Sequence, residues 1–225
     1  MNLVADIPLQ EWALPEEPFR VAAVEIHAAD WEARLPPPAA AVVRRFALPA
    51  ARARSGASAW LKQCWLPGQV GLETLRWEKG AHGRPVAVEL EGRWGVNVTH
   101  AGVFAALALM PEAQLGVDLE QTARRVDWRS VSARYFSESE QEEVAQGGVE
   151  AFWTVWTQKE ALLKALGCGW GDSERIRATR LRPVPFQREL SSGAEVVSRR
   201  ILGGGYALAV AVLRGGETPP DSAGG

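Results

Sequence analysis

The chain is 225 residues long and sets 25 basic residues against 27 acidic ones, for a net charge of −2. That length fits one large domain or two of about 100 residues each, and either buries a core that needs no disulfide scaffold. The near-neutral balance excludes the broad electropositive surface used in nucleic-acid binding, so any phosphate chemistry has to be local.

Cys64 and Cys168 lie far apart in no metal-ligand spacing and are expected as reduced thiols in a reducing compartment. The stretch "MNLVADIPLQEWALPEEPFR" has acidic residues and prolines where a secretory leader needs a basic segment and an apolar run. The apolar stretches "VFAALALM" and "YALAVAVL" fall well short of the ~20 residues that span a bilayer. A soluble, cytoplasmic monomer is therefore expected. Ten tryptophans are expected in the core or in pocket walls, since Trp buries a large area and needs one hydrogen-bond partner.

In chain order, "FRVAAVEI" (19–26) is rich in β-branched and apolar residues and reads as a strand. "AAAVVRRFALPAARARSGASAWLKQCWL" has helical spacing around Pro49. After a Gly- and Pro-punctuated stretch that includes "HGRP" (82–85), "VNVTHAGVFAALALM" reads as strand, turn at Ala101-Gly102, and strand. "QLGVDLEQT" (114–122) is a further short strand.

Beyond it the pattern turns helical. Ser137 and Glu140 stand in capping-box spacing, Gly147-Gly148 is a stop, and a long helix over 149–166 follows. "RIRATRL", "AEVVSRRIL" and "GYALAVAVL" read as antiparallel strands, and the tail 215–225 is too polar to order itself. "VAAVEI" and "LGVDLE" are short apolar strands that each end in an acid pattern, which hints at a duplication. Two α+β halves, 1–112 and 113–214, fit the length.

In "GVDLE", Asp118 and Glu120 project from one face of the strand while Val117 and Leu119 project from the other. Two like charges on one face suit either a solvated edge or a hard cation such as Mg²⁺, which takes carboxylate oxygens together with substrate phosphates. On the long helix, Trp153, Trp156, Glu160, Lys164 and Gly167 share one stripe, and Val155, Leu162, Leu163 and Leu166 share another that can face a core.

Glu160 and Lys164 form an i,i+4 pair in the favourable orientation, which as a plain surface salt bridge contributes only ~0.3–0.5 kcal/mol. Trp153 and Trp156 on the same stripe favour a cleft instead. Across such a cleft Glu160 with Asp118 and Glu120 makes a three-carboxylate Mg²⁺ site, with an ammonium nearby to neutralise phosphate oxygens. Thr99 and His100 end a strand before a small-residue turn, where hydroxyl, imidazole and turn amides converge on an anion or merely cap the turn. Arg84 on its Gly-Pro turn, and Arg44, Arg45, Arg52, Arg54 and Ser55 upstream, bind phosphate or cover apolar surface.

In this order and spacing, "GRP", "NVTH", "GVDLE" and "FWTVWTQKEALLKALG" resemble the Sfp-type 4′-phosphopantetheinyl transferases. That family reads approximately as G-K-P, N-[LIV]-S-H-S, G-[IV]-D-[IVL]-E and W-[ST]-x-K-E-[AS]-x-x-K-x-x-G. The recognisable region here runs from about Arg44 to Gly169. The resemblance implies a pseudo-twofold pair of α+β halves with coenzyme A in the cleft between them. It also implies transfer of the phosphopantetheine arm to a serine of an acidic, helical acyl or peptidyl carrier protein, with release of 3′,5′-ADP. Fatty-acid, polyketide or non-ribosomal peptide synthesis would be served.

By the same resemblance Asp118, Glu120 and Glu160 would hold Mg²⁺, and Lys164 would neutralise the leaving phosphate. Arg54, Ser55, Arg84, Thr99 and His100 would grip the adenosine and its 3′-phosphate. The serine proton goes to Glu160 or to a metal-bound water, with Glu160 favoured because it lies on the substrate side of the expected cleft. Lys159, turned about 100° from Glu160, either joins the phosphate-binding set or supports the helix surface. Thr99 and Ala101 stand where the family has serines, Arg84 stands for a lysine, and "PPPAAAVV" replaces the basic residues that often precede "RRF". Arg124, Arg125, Arg129 and Arg134 are a landing patch for the carrier or an ordinary basic helix surface. Two other readings are a Mg²⁺-dependent phosphohydrolase of coenzyme A-like pyrophosphates and a non-catalytic module that binds coenzyme A or the carrier.

Overall fold

A computed structural model describes residues 9–13, 19–27, 29–80, 84–168, 194–201 and 205–213. The chain divides into two compact units, Met1–Pro111 and Glu112–Gly225. "RIRATRL", the His82 and Gly83 of "HGRP", and the tail 215–225 lie outside the described residues.

In the first unit the run of apolar residues in "VAAVEI" forms β2 (Arg20–Glu25), where Val21, Ala22, Ala23 and Val24 are all buried. β1 (Leu9–Ala13) pairs with its outer edge. Two prolines open the next helices, where a missing N–H costs nothing. These are α1 (Pro37–Arg44) and α2 (Pro49–Trp60), the latter continuing through a π-turn at Leu61–Trp65 into α3 (Leu66–Val70). A short ribbon of β3 (Trp77–Lys79) and β4 (Pro85–Ala87) follows.

β5 (Trp94–Ala101) and β6 (Phe104–Pro111) then form a hairpin that turns at Gly102, whose φ is 51°. The sheet order is β1-β2-β6-β5, antiparallel throughout. Its core gathers Ala22, Val24, Ala105, Leu107 and Leu109 from the strands with Ala57, Trp60, Leu61 and Trp65 from the helices.

The second unit opens with β7 (Gln114–Gln121), continues through α4 (Trp128–Tyr135) and α5 (Glu138–Leu166), and closes with β8 (Ala194–Ile201) and β9 (Tyr206–Leu213). Asp127 caps α4 by accepting the Ser130 amide at 3.3 Å. The capping box expected at α5 is present: Glu140 Oε2 accepts the Ser137 amide at 2.7 Å, and Ser137 Oγ accepts the Glu140 amide at 3.4 Å. α5 is broken at Gly148 (φ 65°, ψ −150°), which separates a first segment from the long helix over 149–166. Its C-cap is Gly167 in the left-handed region (φ 69°).

The sheet of the second unit runs β7-β9-β8, so its last strand lies in the middle. The first unit repeats this pattern: leaving aside β1, its order is first strand, last strand, middle strand, with helices between the first strand and the hairpin. β2 and β7, which carry "VAAVEI" and "LGVDLE", are the corresponding first strands.

Candidate active site

The site is built on one face of the second unit's sheet. In register, Gly116 faces Ala211, Asp118 faces Ala209 and Glu120 faces Ala207. The alanines leave room on this face for α5, which packs there through Ala161, Leu162 and Ala165. Gly116 permits the closest approach, because a Cβ at that position would overlap the Ala161 carbonyl oxygen and the Ala165 amide nitrogen. This contact sets α5 against β7 at the level of the two carboxylates.

Lys164 reaches from α5 to β7. Its ammonium donates to Asp118 Oδ1 at 2.6 Å and to the Val117 carbonyl at 3.1 Å. Asp118 is only 5% exposed, so neither face of β7 at this point is a solvated edge. Burial pushes the Asp118 carboxyl up to about 7; the Lys164 ammonium pulls it back down, while the charges of Glu160 and Glu120 raise it.

Glu120 is raised chiefly by burial and held back by Arg124 and by the Trp156 hydrogen bond, with the Glu160 charge raising it further. The Trp156 indole donates to Glu120 Oε1 at 3.1 Å. Its ring is fixed by stacking on Phe152 at 6.0 Å and by an edge contact with Tyr135 at 6.3 Å. Arg124 Nη2 stands 3.7 Å from Glu120 Oε2, with its guanidinium over the Trp153 ring at 5.3 Å. Glu160, half-buried on α5, couples by charge to both strand carboxylates.

Two expectations for this helix need correction. Trp153 does not line a cleft: it is buried in a core cluster with Phe136, Val144, Phe152 and Val155. Lys159, counted among the phosphate-binding residues, is 0% exposed and pairs with Glu140 Oε2 at 2.9 Å. Both follow from α5 being covered on two sides, by the sheet and by its own first segment. Trp156 and Gly116 were missed as positioning residues. A glycine inside a strand next to an acidic pair was the available signal for the second; for the first there was only its place on the stripe.

The remaining expected residues belong to the first unit. Thr99 is buried and His100 exposed on β5, and the half-buried Arg84 donates to the Val96 carbonyl of the same strand at 3.3 Å. Burial lowers the Arg84 guanidinium below its ordinary value. Arg54 is exposed and Ser55 half-buried on α2. Both cysteines are free thiols.

Asp118 and Glu120 each meet a cation, Lys164 and Arg124, and Glu160 couples to both acids by charge. Among the described residues no group of three His, Cys, Asp or Glu side chains forms a ready-made metal cluster. Carboxylate oxygens are the donor type that a hard divalent ion takes, but these side chains are not gathered into a metal cage. Among the described residues, no helix is long and apolar enough to cross a membrane.

Residues 114–211, the stretch that builds this site, match the model of the 4′-phosphopantetheinyl transferase superfamily. The 4′-phosphopantetheinyl transferase AcpT of Salmonella typhi is 34% identical over 112 residues, covering 46% of this chain and 58% of AcpT. The 4′-phosphopantetheinyl transferase HetI of Nostoc sp. is 29% identical over 140 residues, 59% of each chain. The L-aminoadipate-semialdehyde dehydrogenase-phosphopantetheinyl transferase of Homo sapiens is 27% identical over 111 residues, covering 43% of this chain and 36% of its own. The chain thus spans little more than half the length of AcpT and HetI.

Proposed function

We propose that the protein is an Sfp-type transferase that moves the 4′-phosphopantetheine arm of coenzyme A onto a serine of an apo acyl or peptidyl carrier protein and releases 3′,5′-ADP. The observation that carries this reading is Lys164, held by Asp118 Oδ1 and the Val117 carbonyl on the motif strand, with Glu160 one helical turn before it.

In the reaction the serine oxygen bonds to the β-phosphorus, and the bond from that phosphorus to the bridging oxygen breaks. The electron pair departs with 3′,5′-ADP. Little covalent chemistry falls to the protein, so positioning and charge neutralisation dominate. Asp118, Glu120 and Glu160 would hold Mg²⁺, which when bound supplies charge neutralisation at the pyrophosphate. Glu160 takes the serine proton. Lys164 keeps its ammonium aimed by the Val117 carbonyl and neutralises charge on the leaving phosphate. Trp156 and Arg124 hold the Glu120 carboxylate in orientation.

Arg54, Ser55, Arg84, Thr99 and His100 are the proposed adenosine and 3′-phosphate set. Arg124, Arg125, Arg129 and Arg134 are the proposed landing patch for an acidic carrier. Incubation of the full chain with coenzyme A, Mg²⁺ and a panel of apo-carriers tests the reading by carrier mass. The expected result is one added phosphopantetheine per carrier with an equal amount of 3′,5′-ADP. Release of 3′,5′-ADP with every carrier unchanged would sink it in favour of hydrolysis.

A further inference from the structure

The two segments of α5 meet at Gly148, and one charged pair ties them together: Glu140 of the first segment and Lys159 of the second, 2.9 Å apart. Neither side chain is exposed. The Glu140 carboxylate is itself pinned, because the same Oε2 accepts the Ser137 amide at 2.7 Å. Lys159 Nζ also lies 5.8 Å from the centre of the Phe136 ring. Phe136 belongs to an apolar and aromatic core cluster with Val144, Phe152, Trp153 and Val155, although the Glu143 carboxyl also lies near enough to feel the Glu140 charge; in a core, well-packed apolar residues commonly stabilise as well as an ion pair does. A buried pair in such a place is better explained by the geometry it specifies than by stability.

That geometry reaches the site through the next residue. Glu160 follows Lys159 directly, and Lys164 lies just over a turn further along the same rigid segment. On a helix roughly 10–12 Å across, a rotation of roughly 10° moves a side-chain tip by about 1 Å. A misplacement of that size at a reacting centre costs on the order of 10²-fold in rate.

We propose that Glu140 and Lys159 are positioning residues that fix the rotation of the second α5 segment, and so set Glu160 and Lys164 against Asp118 and Glu120. The proposal rests on the transferase reading for what is positioned, and on the Glu140–Lys159 contact for what does the positioning. It assigns Lys159 no contact with coenzyme A.

The test uses the full-length double variant Glu140→Gln/Lys159→Met. Gln preserves the capping box, and removing both charges together leaves no uncompensated ion in the core. Far-ultraviolet circular dichroism and the thermal midpoint are expected to match the wild type to within a few degrees. Mn²⁺ affinity, read by electron paramagnetic resonance without coenzyme A, should fall about 10-fold. In transfer assays kcat should fall about 30-fold or more, with KM for coenzyme A and for the carrier unchanged. Should the double variant melt early, Lys159→Arg is the second variant: it keeps the charge and is expected to recover Mn²⁺ affinity towards the wild-type value.

A folded double variant that binds Mn²⁺ and transfers like the wild type overturns the positioning role. A rise in KM for coenzyme A with kcat unchanged also overturns it, by making Lys159 a binding residue. If the wild type modifies no carrier, the transferase reading fails and the positioning role is judged on Mn²⁺ affinity alone. A wild type that binds no Mn²⁺ overturns the positioning role as well, since nothing would then be positioned.

Discussion

Lys164 is the cation on which the acidic corner of the second unit depends. Its ammonium opposes the burial that raises the Asp118 carboxyl to about 7. Glu160 carries the chemistry assigned to this corner. Glu160→Gln keeps the size and removes the proton acceptor, and turnover is expected to fall at least about 10²-fold, the usual scale of general-base loss. Near-wild-type turnover with metal still bound would remove Glu160 as the base. A separate carboxyl, Glu143, is pushed up to about 7 by burial and by the neighbouring Glu140 charge. Its contribution to stability is present below the ordinary Glu range and is lost as pH rises through about 7. Glu143→Gln should therefore leave stability at pH 4 unchanged and raise it at pH 8, as read by urea melts at the two values. A gain of equal size at both would count against the buried carboxyl.

At the scale of elements, the β7–α5 contact decides where the site is. Gly116 has no side chain because the backbone of α5 occupies that space. Gly116→Ala forces the helix outward or twists the strand, and is expected to destabilise the fold by about 3 kcal/mol, at the upper end of typical overpacking. Denaturant unfolding measures this, and a loss below ~0.5 kcal/mol would mean that α5 yields without resistance. Gly148 works differently: its φ of 65° with ψ of −150° lies in a region reserved almost entirely for glycine. It turns the chain so that the first α5 segment can cover the second. The capping box, the glycine and the buried Glu140–Lys159 pair are thus parts of one joint.

At the scale of the whole molecule, the two units share a strand order in which the last strand returns between the other two. The resemblance of "VAAVEI" to "LGVDLE" was legible because β2 and β7 begin each unit and are buried alike. The arginines after β7 differ in their contacts. Arg124 is engaged with Glu120 and Trp153, whereas Arg129 and Arg134 lie over Trp128 and Tyr135 with their charges exposed, and Arg125 is exposed too. Arg125→Glu/Arg129→Glu should raise KM for the carrier about 10-fold and leave KM for coenzyme A unchanged, with the difference shrinking in high salt. Equal effects on the two constants would argue against a docking role.

By itself the sequence determined what short spacings encode. The alternation in "GVDLE" put Asp118 and Glu120 on one face, the Ser137–Glu140 spacing placed the cap, and the i,i+4 step set Glu160 and Lys164 on one stripe of the helix. Each of these depends on residues within about one turn or one strand, where backbone geometry alone fixes the neighbours. Tertiary structure decided which side of α5 is which. Trp153 and Trp156 share a stripe, yet one is in the core and the other orients a carboxylate; Lys159 and Lys164 are alike in type, yet one is enclosed and the other faces β7. Those outcomes follow from Gly116, on a different element, and from Glu140, across the break at Gly148. A helical wheel shows which side chains travel together, but only the surfaces packed against the helix fix its rotation and hence which of them meet the substrate.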